Sequence, residues 1–256
     1  MADDAMAIRW DLLPFVNGRG LDIGCGDARP HDWFHGLDIK PGSGPRGPNQ
    51  IIDARDLSLF ADKSHDFIFS SHLLQELMLD KANDIPAILA GWWRLLKDDA
   101  YLILFLPITD TCDPKKIVDL MLPLRPWQAV DMRTNGDMFF HVYRKCDRPS
   151  LLDQPKPEKI CAVMKLGAHG DALWASSVLP HLKDQGYYVV VYCQDTGEQV
   201  LRHDPHIDRL IKFESRVPLD QLGELFRWME QKYDECRIPV ECVEGTLLPA
   251  PSKIQY

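Results

Sequence analysis

Residues 19–28 read Arg-Gly-Leu-Asp-Ile-Gly-Cys-Gly-Asp-Ala. An apolar strand ending (Leu21, Ile23) runs straight into a turn with two glycines, Gly24 and Gly26. Glycine lets the backbone turn sharply and pass close to a ligand, so this run predicts an α/β sheet with a ligand at its carboxyl edge. Acids flank the turn, with Asp22 just before the first glycine and Asp27 just after the second. A dinucleotide site would need Gly-x-Gly-x-x-Gly and a pyrophosphate on backbone N–H groups. Here the third glycine of that pattern is Arg29, and two carboxylates would repel a pyrophosphate. The loop suits a ligand that is cationic and carries no phosphate.

Further strand endings follow at the spacing of a doubly wound sheet. Gly36-Leu37-Asp38-Ile39 ends in an acid 16 residues beyond Asp22, about where such a sheet presents a carboxylate to ribose hydroxyls. Ile51-Ile52-Asp53-Ala54 reads as a third strand, and Asp66 to Ser71 as a fourth. Ile85, Ile88, Leu89, Trp92, Leu95 and Leu96 recur at helical spacing over 81–97, which predicts a helix with its tryptophans in the core. The apolar run Tyr101 to Leu106 is a fifth strand, and Asp113 to Leu122 a helix stopped by Pro123. Gln128–Arg133 and Met138–Tyr143 flank Asn135-Gly136, a strong hairpin signal.

S-adenosylmethionine carries an ammonium and a sulfonium but no phosphate, and it matches the acid-flanked loop. With these motifs in order, residues 16–146 resemble the class I S-adenosylmethionine-dependent methyltransferases, particularly the type 11 group. Leu21 to Gly26, Leu37-Asp38-Ile39, Asp53-Ala54, His65 to His72, and Trp92 to Lys97 leading into Tyr101 to Leu104 carry the resemblance. It departs from the family at Ala28, where a third glycine is usual, and at Gln75-Glu76, where Glu-His is usual. The resemblance implies a Rossmann-like sheet closed by an antiparallel hairpin. It also implies S-adenosyl-L-methionine held by Asp22, Gly24, Cys25, Gly26, Asp38, Ile39, Asp53, Ala54, Ser70 and Ser71. Asp38 would take the ribose hydroxyls, Ile39 the adenine face, and Asp53 or the Ala54 backbone the adenine amino group. His72 is the candidate general base, because imidazole titrates near neutrality. A cofactor or substrate hydrogen bond is the plainer role for it.

Three prolines in the polar stretch 147–158 predict a linker between a domain at 1–146 and a second at 159–256. Strand–helix alternation restarts there: strand 160–164, helix 171–183, strand 187–193, helix 196–203, strand 210–213 and helix 219–232. Lys165 to Leu173, Val178-Leu179-Pro180 and His206 to Ile211 resemble the N-terminal half of the family 9, heptosyltransferase-like GT-B glycosyltransferases. That resemblance implies a partial Rossmann-like α/β domain, with Asp171 as a base on an acceptor hydroxyl. The plain reading of Asp171 is a helix N-cap. Without the nucleotide-sugar half, no glycosyl transfer is expected. The helix Leu219 to Lys232 and the tail Val240 to Leu248 would leave a sheet edge or face partly uncovered, which favours self-association or tight packing between the two parts.

The chain has 256 residues and a formal net charge of −9. Acidic residues outnumber basic ones on both sides of residue 146, which argues against nucleic acid as a partner. Seven cysteines (25, 112, 146, 161, 193, 236 and 242) are scattered without a Cys-x-x-Cys pair. That pattern favours reduced thiols, a cytoplasmic location, and neither a disulfide framework nor a zinc site. No metal-ligand cluster, signal peptide or membrane span is expected. The reading is a methyltransferase acting on a small molecule, a sugar-containing metabolite or a glycan. Two alternatives stand beside it: a binding or assembly protein with a vestigial fold, and the N-terminal portion of a bifunctional methyltransferase-glycosyltransferase.

Overall fold

The computed structural model describes residues 4–152, 155–167, 169–213 and 217–238, apart from the side chains of Ala82 and Leu219. The chain divides into two compact units, Met1–Gln154 and Pro155–Tyr256. In the first unit, short helices α1 (Asp4–Ala7) and α2 (Arg9–Leu12) precede strands β1 (Gly20–Ile23), β2 (His35–Asp38), β3 (Gln50–Ile51) and β4 (His65–Ser71). Helices α3 (Leu74–Lys81) and α4 (Ile85–Leu95) lead into β5 (Leu96–Pro107) and α5 (Pro114–Met121). The hairpin of β6 (Gln128–Asn135) and β7 (Met138–Arg144) completes it.

Among the described residues these strands form one sheet, ordered β3-β2-β1-β4-β5-β7-β6. Pairing is parallel from β3 to β5, whereas β7 is antiparallel to both β5 and β6. This is the doubly wound sheet with a closing hairpin that the sequence predicts. Because side chains alternate along a strand, each inner strand feeds two cores. Ile68, Leu102, Leu104 and Leu106 pack with α4 residues Ile88, Leu89 and Trp92. Phe67, Phe69, Ile103 and Phe105 pack on the other face with Leu12, Phe15, Val16 and Phe34. The N-terminal segment thus covers a sheet face, which the sequence reading did not anticipate.

Three elements differ from expectation. The third strand spans only Gln50–Ile51, because the Asp53 carboxylate accepts the Arg55 N–H at 2.9 Å and turns the chain. The fifth strand starts at Leu96 rather than Tyr101 and runs through Asp99 at φ +65°. The segment after residue 146 is not all linker: Leu151 N–H donates to Ala129 at 2.9 Å, and Gln128 Nε2 donates to Pro149 at 2.5 Å.

The second unit contains β8 (Ile160–Lys165), α6 (His169–Ser176), α7 (Leu179–Asp184), β9 (Tyr188–Cys193), α8 (Asp195–Leu201), β10 (Arg209–Lys212), α9 (Leu222–Lys232) and β11 (Glu235–Arg237). Its parallel sheet runs β10-β9-β8-β11 among the described residues. The helix expected over 171–183 is two helices. Ser176 and Ser177 turn their hydroxyls back onto Leu173 and Trp174 carbonyls (2.8 and 2.7 Å), and Pro180 opens the next helix. Strand β11 was not expected, being three residues long. The tail Val240 to Leu248 and Cys242 lie outside the described residues.

Trp92 is fully buried and its Nε1 donates to the Ala54 carbonyl at 2.9 Å, tying α4 to the segment after β3. Trp92→Phe keeps an aromatic ring but strands that carbonyl. Chemical denaturation is expected to show a loss of about 1–3 kcal/mol with an unchanged m-value.

Candidate functional site

The glycine turn is held from two sides. The Gly24 and Cys25 N–H groups both donate to the Leu37 carbonyl, at 2.8 and 3.1 Å, closing the loop over the end of β2. Gly24 has φ +77°, and a Cβ there would sit 2.7 Å from Leu73 Cβ, so both backbone and space require glycine. Gly26, at φ +52°, donates its N–H to Asp38 Oδ2 at 3.0 Å, while Asp38 Oδ1 accepts the Lys40 N–H at 3.0 Å. Asp38 is therefore oriented by backbone donors, each oxygen keeping lone-pair capacity for a ligand hydroxyl.

Arg29 stands behind this loop, 6% exposed. Its guanidinium donates to the Phe34 carbonyl (2.6 Å), Asn49 Oδ1 (2.9 Å) and the Arg46 carbonyl (3.1 Å). It thereby pins the segment before β2 to the Gly/Pro-rich loop after it. Asp27 holds that same loop, accepting from the N–H and Oγ of Ser43, both at 2.7 Å, which keeps its carboxyl below the usual range.

Asp22 is only 2% exposed, and its carboxylate accepts no hydrogen bond among the described residues. Burial pushes its carboxyl up to about 8; the Arg29 charge opposes that rise and the Asp38 charge adds to it. Burial also pushes the Cys25 thiol up to about 12, so it is a neutral packing group.

Asp22, Gly24, Cys25, Gly26, Asp38 and Ile39 line one cleft of about 350 Å³. Ser71 and His72, at the end of β4, line it too. Ile39 is 58% exposed, an apolar side chain left open beside Asp38. The buried Ser71 Oγ has no hydrogen-bond partner among the described residues. Three expected residues lie outside this lining. Ser70 is fully buried and donates to the Ile23 carbonyl at 2.9 Å, joining β4 to β1. Asp53 pairs with Arg55, and the Ala54 carbonyl is taken by Trp92.

Other lining residues were not anticipated. Ala5 from α1, Asp27, Ala28, Lys40, Leu73 and Glu76 complete the cleft. Asp4 Oδ2 lies 3.1 Å from His72 Nε2. A second cleft of about 440 Å³, at the opposite end of the sheet, is lined by Trp93, Lys145 and their neighbours. Its Lys63, Lys145 and Arg148 are each already engaged by a carboxylate or a carbonyl.

In the second unit, Asp171 sits inside the first turn of α6 rather than before it. Its Oδ1 lies 3.8 Å from the Nζ of Lys165, whose side chain is 2% exposed. Asp171 is thus a counter-ion to a buried cation, next to the Gly167 turn at φ +103°.

Residues 21–104 match the family model described as a methyltransferase domain. That stretch of the first unit, from β1 into β5, is similar to a methyltransferase domain. S-adenosylmethionine is the cofactor this match points to. Comparison with curated proteins gives no match. Among solved structures, an S-adenosylmethionine-dependent methyltransferase from Methanosarcina mazei is 19% identical, with 51% of this chain and 93% of that chain covered and a TM-score of 0.38. A TehB-like methyltransferase from Corynebacterium glutamicum is 16% identical, covering 55% and 87%, with a TM-score of 0.44. Phosphoethanolamine N-methyltransferase 1 from Haemonchus contortus is 14% identical, covering 92% and 73%, with a TM-score of 0.41. With TM-scores below 0.5, these likenesses assign neither activity nor substrate.

The cleft fits the methyl donor. A buried carboxylate without a donor would meet its ammonium, the oriented Asp38 its ribose, and Ile39 its base. Without the cofactor, Asp22 makes stability depend on pH. Its folded value of about 8 lies far above that of an unfolded aspartate, so the folded state binds the extra proton between them. Stability of the cofactor-free protein is therefore expected to fall as pH rises from about 4 toward 8. Thermal melts across this range should show the fall in wild type and a shallower one in Asp22→Asn.

Proposed function

We propose that the first unit binds S-adenosylmethionine in the Asp22–Asp38 cleft and methylates a small molecule there. The observation that carries this reading is Asp22. A carboxylate taken out of water without a hydrogen-bond donor destabilises a fold unless a ligand supplies the missing positive charge. Asp38 supports it: two backbone N–H groups fix the direction in which its remaining lone pairs face the cleft. Bound S-adenosylmethionine supplies an activated methyl group. This chain's residues bind and orient it, exclude water from its polar end, and present an acceptor at the Ser71–His72 edge. Asp53, Ala54 and Ser70 are assigned to the frame around the site, through their contacts with Arg55, Trp92 and Ile23.

A sugar-bearing acceptor rests on the second unit's resemblance alone. No side chain in the cleft singles out a sugar. Self-association through the second unit meets a physical obstacle, because the edge strands among the described residues carry Arg209, Lys212, Glu235 and Arg237, charges that disfavour strand addition.

Titration calorimetry with S-adenosylhomocysteine is expected to give one site per chain. Asp38→Ala should weaken it by about 1–3 kcal/mol through loss of charge-assisted ribose hydrogen bonds. Absence of heat and of any thermal shift at millimolar ligand would sink the assignment.

A further inference from the structure

The residues around His72 narrow the acceptor to one chemical class. His72 sits just past the end of β4 at φ +56°, an uncommon backbone state for a side chain other than glycine, of the kind found at functional sites. Its backbone is clamped: the N–H donates to the Phe105 carbonyl at 3.1 Å, and Gln75 Nε2 donates to its carbonyl. The ring meets Phe105 edge-on at 6.3 Å, which fixes its plane. Yet Nε2 is buried and makes no hydrogen bond among the described residues; Asp4 Oδ2, 3.1 Å away, is close but poorly aligned. With Nε2 turned to the Asp4 carboxylate, Nδ1 is the ring nitrogen left to receive a proton from a ligand in the cleft.

The charged groups around the cleft that His72 lines are mostly acids. Asp4 comes from α1 and Glu76 from α3, and Asp38 and Asp27 line the same cleft, against Lys40 among its lining residues; Asp22 is left to the donor's ammonium. An anionic acceptor would be repelled here, and a neutral one would gain nothing from the field. A cation would be drawn in.

We infer that the acceptor is a small primary or secondary amine, bound as its ammonium, with His72 as the catalytic base and Asp4 as the residue that positions it. This deepens the methyltransferase reading and rests on it. The ammonium gives one proton to His72, whose imidazolium is then balanced by Asp4. The freed nitrogen lone pair forms a new N–C bond to the methyl group as the donor's C–S bond breaks and leaves its electron pair on sulfur. The proton passes from His72 to solvent, and the product is the N-methylated ammonium.

Three probes of one skeleton separate the possibilities: benzylamine, benzyl alcohol and benzoate. Each is titrated into the full chain saturated with S-adenosylhomocysteine, and each is offered with S-adenosylmethionine while S-adenosylhomocysteine release is followed. Benzylamine is expected to bind at least about tenfold more tightly than the alcohol, with no detectable benzoate binding, and it alone should turn over. Asp4→Asn should weaken benzylamine binding by about fivefold, and Asp4→Glu should restore it, with S-adenosylhomocysteine affinity unchanged in both. Tighter binding or turnover of the alcohol or benzoate, or no benzylamine binding by a protein that does bind S-adenosylhomocysteine, overturns the inference alone. Failure to bind S-adenosylhomocysteine overturns the methyltransferase reading instead.

Discussion

A carboxylate removed from water without a hydrogen-bond donor is the constraint around which the edge of the first sheet is built. Asp22 lies in β1 between the two residues, Leu21 and Ile23, that anchor that strand in the core, so it cannot swing out to solvent. Arg29 supplies a nearby positive charge but spends its donors on Phe34, Arg46 and Asn49, and Asp38 works against ionisation. For stability alone, an uncharged residue would serve better at this position. The carboxylate makes sense when a cation arrives with the ligand.

The same segment shows how packing and polar recognition are coupled. Arg29 fixes the chain on both sides of β2, and that fixes where Asp38 emerges beside Gly26. Phe34 in turn packs against Phe67 at a centroid distance of 4.8 Å, so loop and sheet form one body. On the opposite face, Trp92 bonds the segment after β3 to α4. The cleft is rigid where the donor's polar end would lie. It is completed by the short helix α1 where the acceptor would enter.

Much of this was legible in the chain. Glycines between acids, strand endings at regular spacing and an Asn-Gly hairpin each report a local requirement that the backbone cannot meet otherwise. Gly24 needs its positive φ and its missing Cβ whatever the rest of the fold does. What was not legible depends on contacts remote in sequence. Asp4 lies far from His72 along the chain and meets it only because α1 packs on the sheet. Ser70 and Ser71 look alike in sequence, but a central strand is buried on both faces. Only the structure tells that Ser70 bonds inward to Ile23 while Ser71 opens to the cleft. Asp53 matched its motif, yet the arginine two residues on occupies it. In the second unit, two serines and a proline broke a helix whose apolar spacing ran on without interruption.

If Asp22 awaits a cation, binding must ionise it. At pH 7 a carboxyl poised near 8 is mostly protonated, and an ammonium placed against it would expel the proton. Calorimetric titration of S-adenosylmethionine at pH 7, in two buffers with different ionisation heats, counts the protons exchanged. The account predicts release approaching one proton per cofactor bound by the wild-type chain, and its disappearance together with weaker binding in Asp22→Asn. Equal heats in both buffers for the wild type, or release that persists in Asp22→Asn, would contradict it.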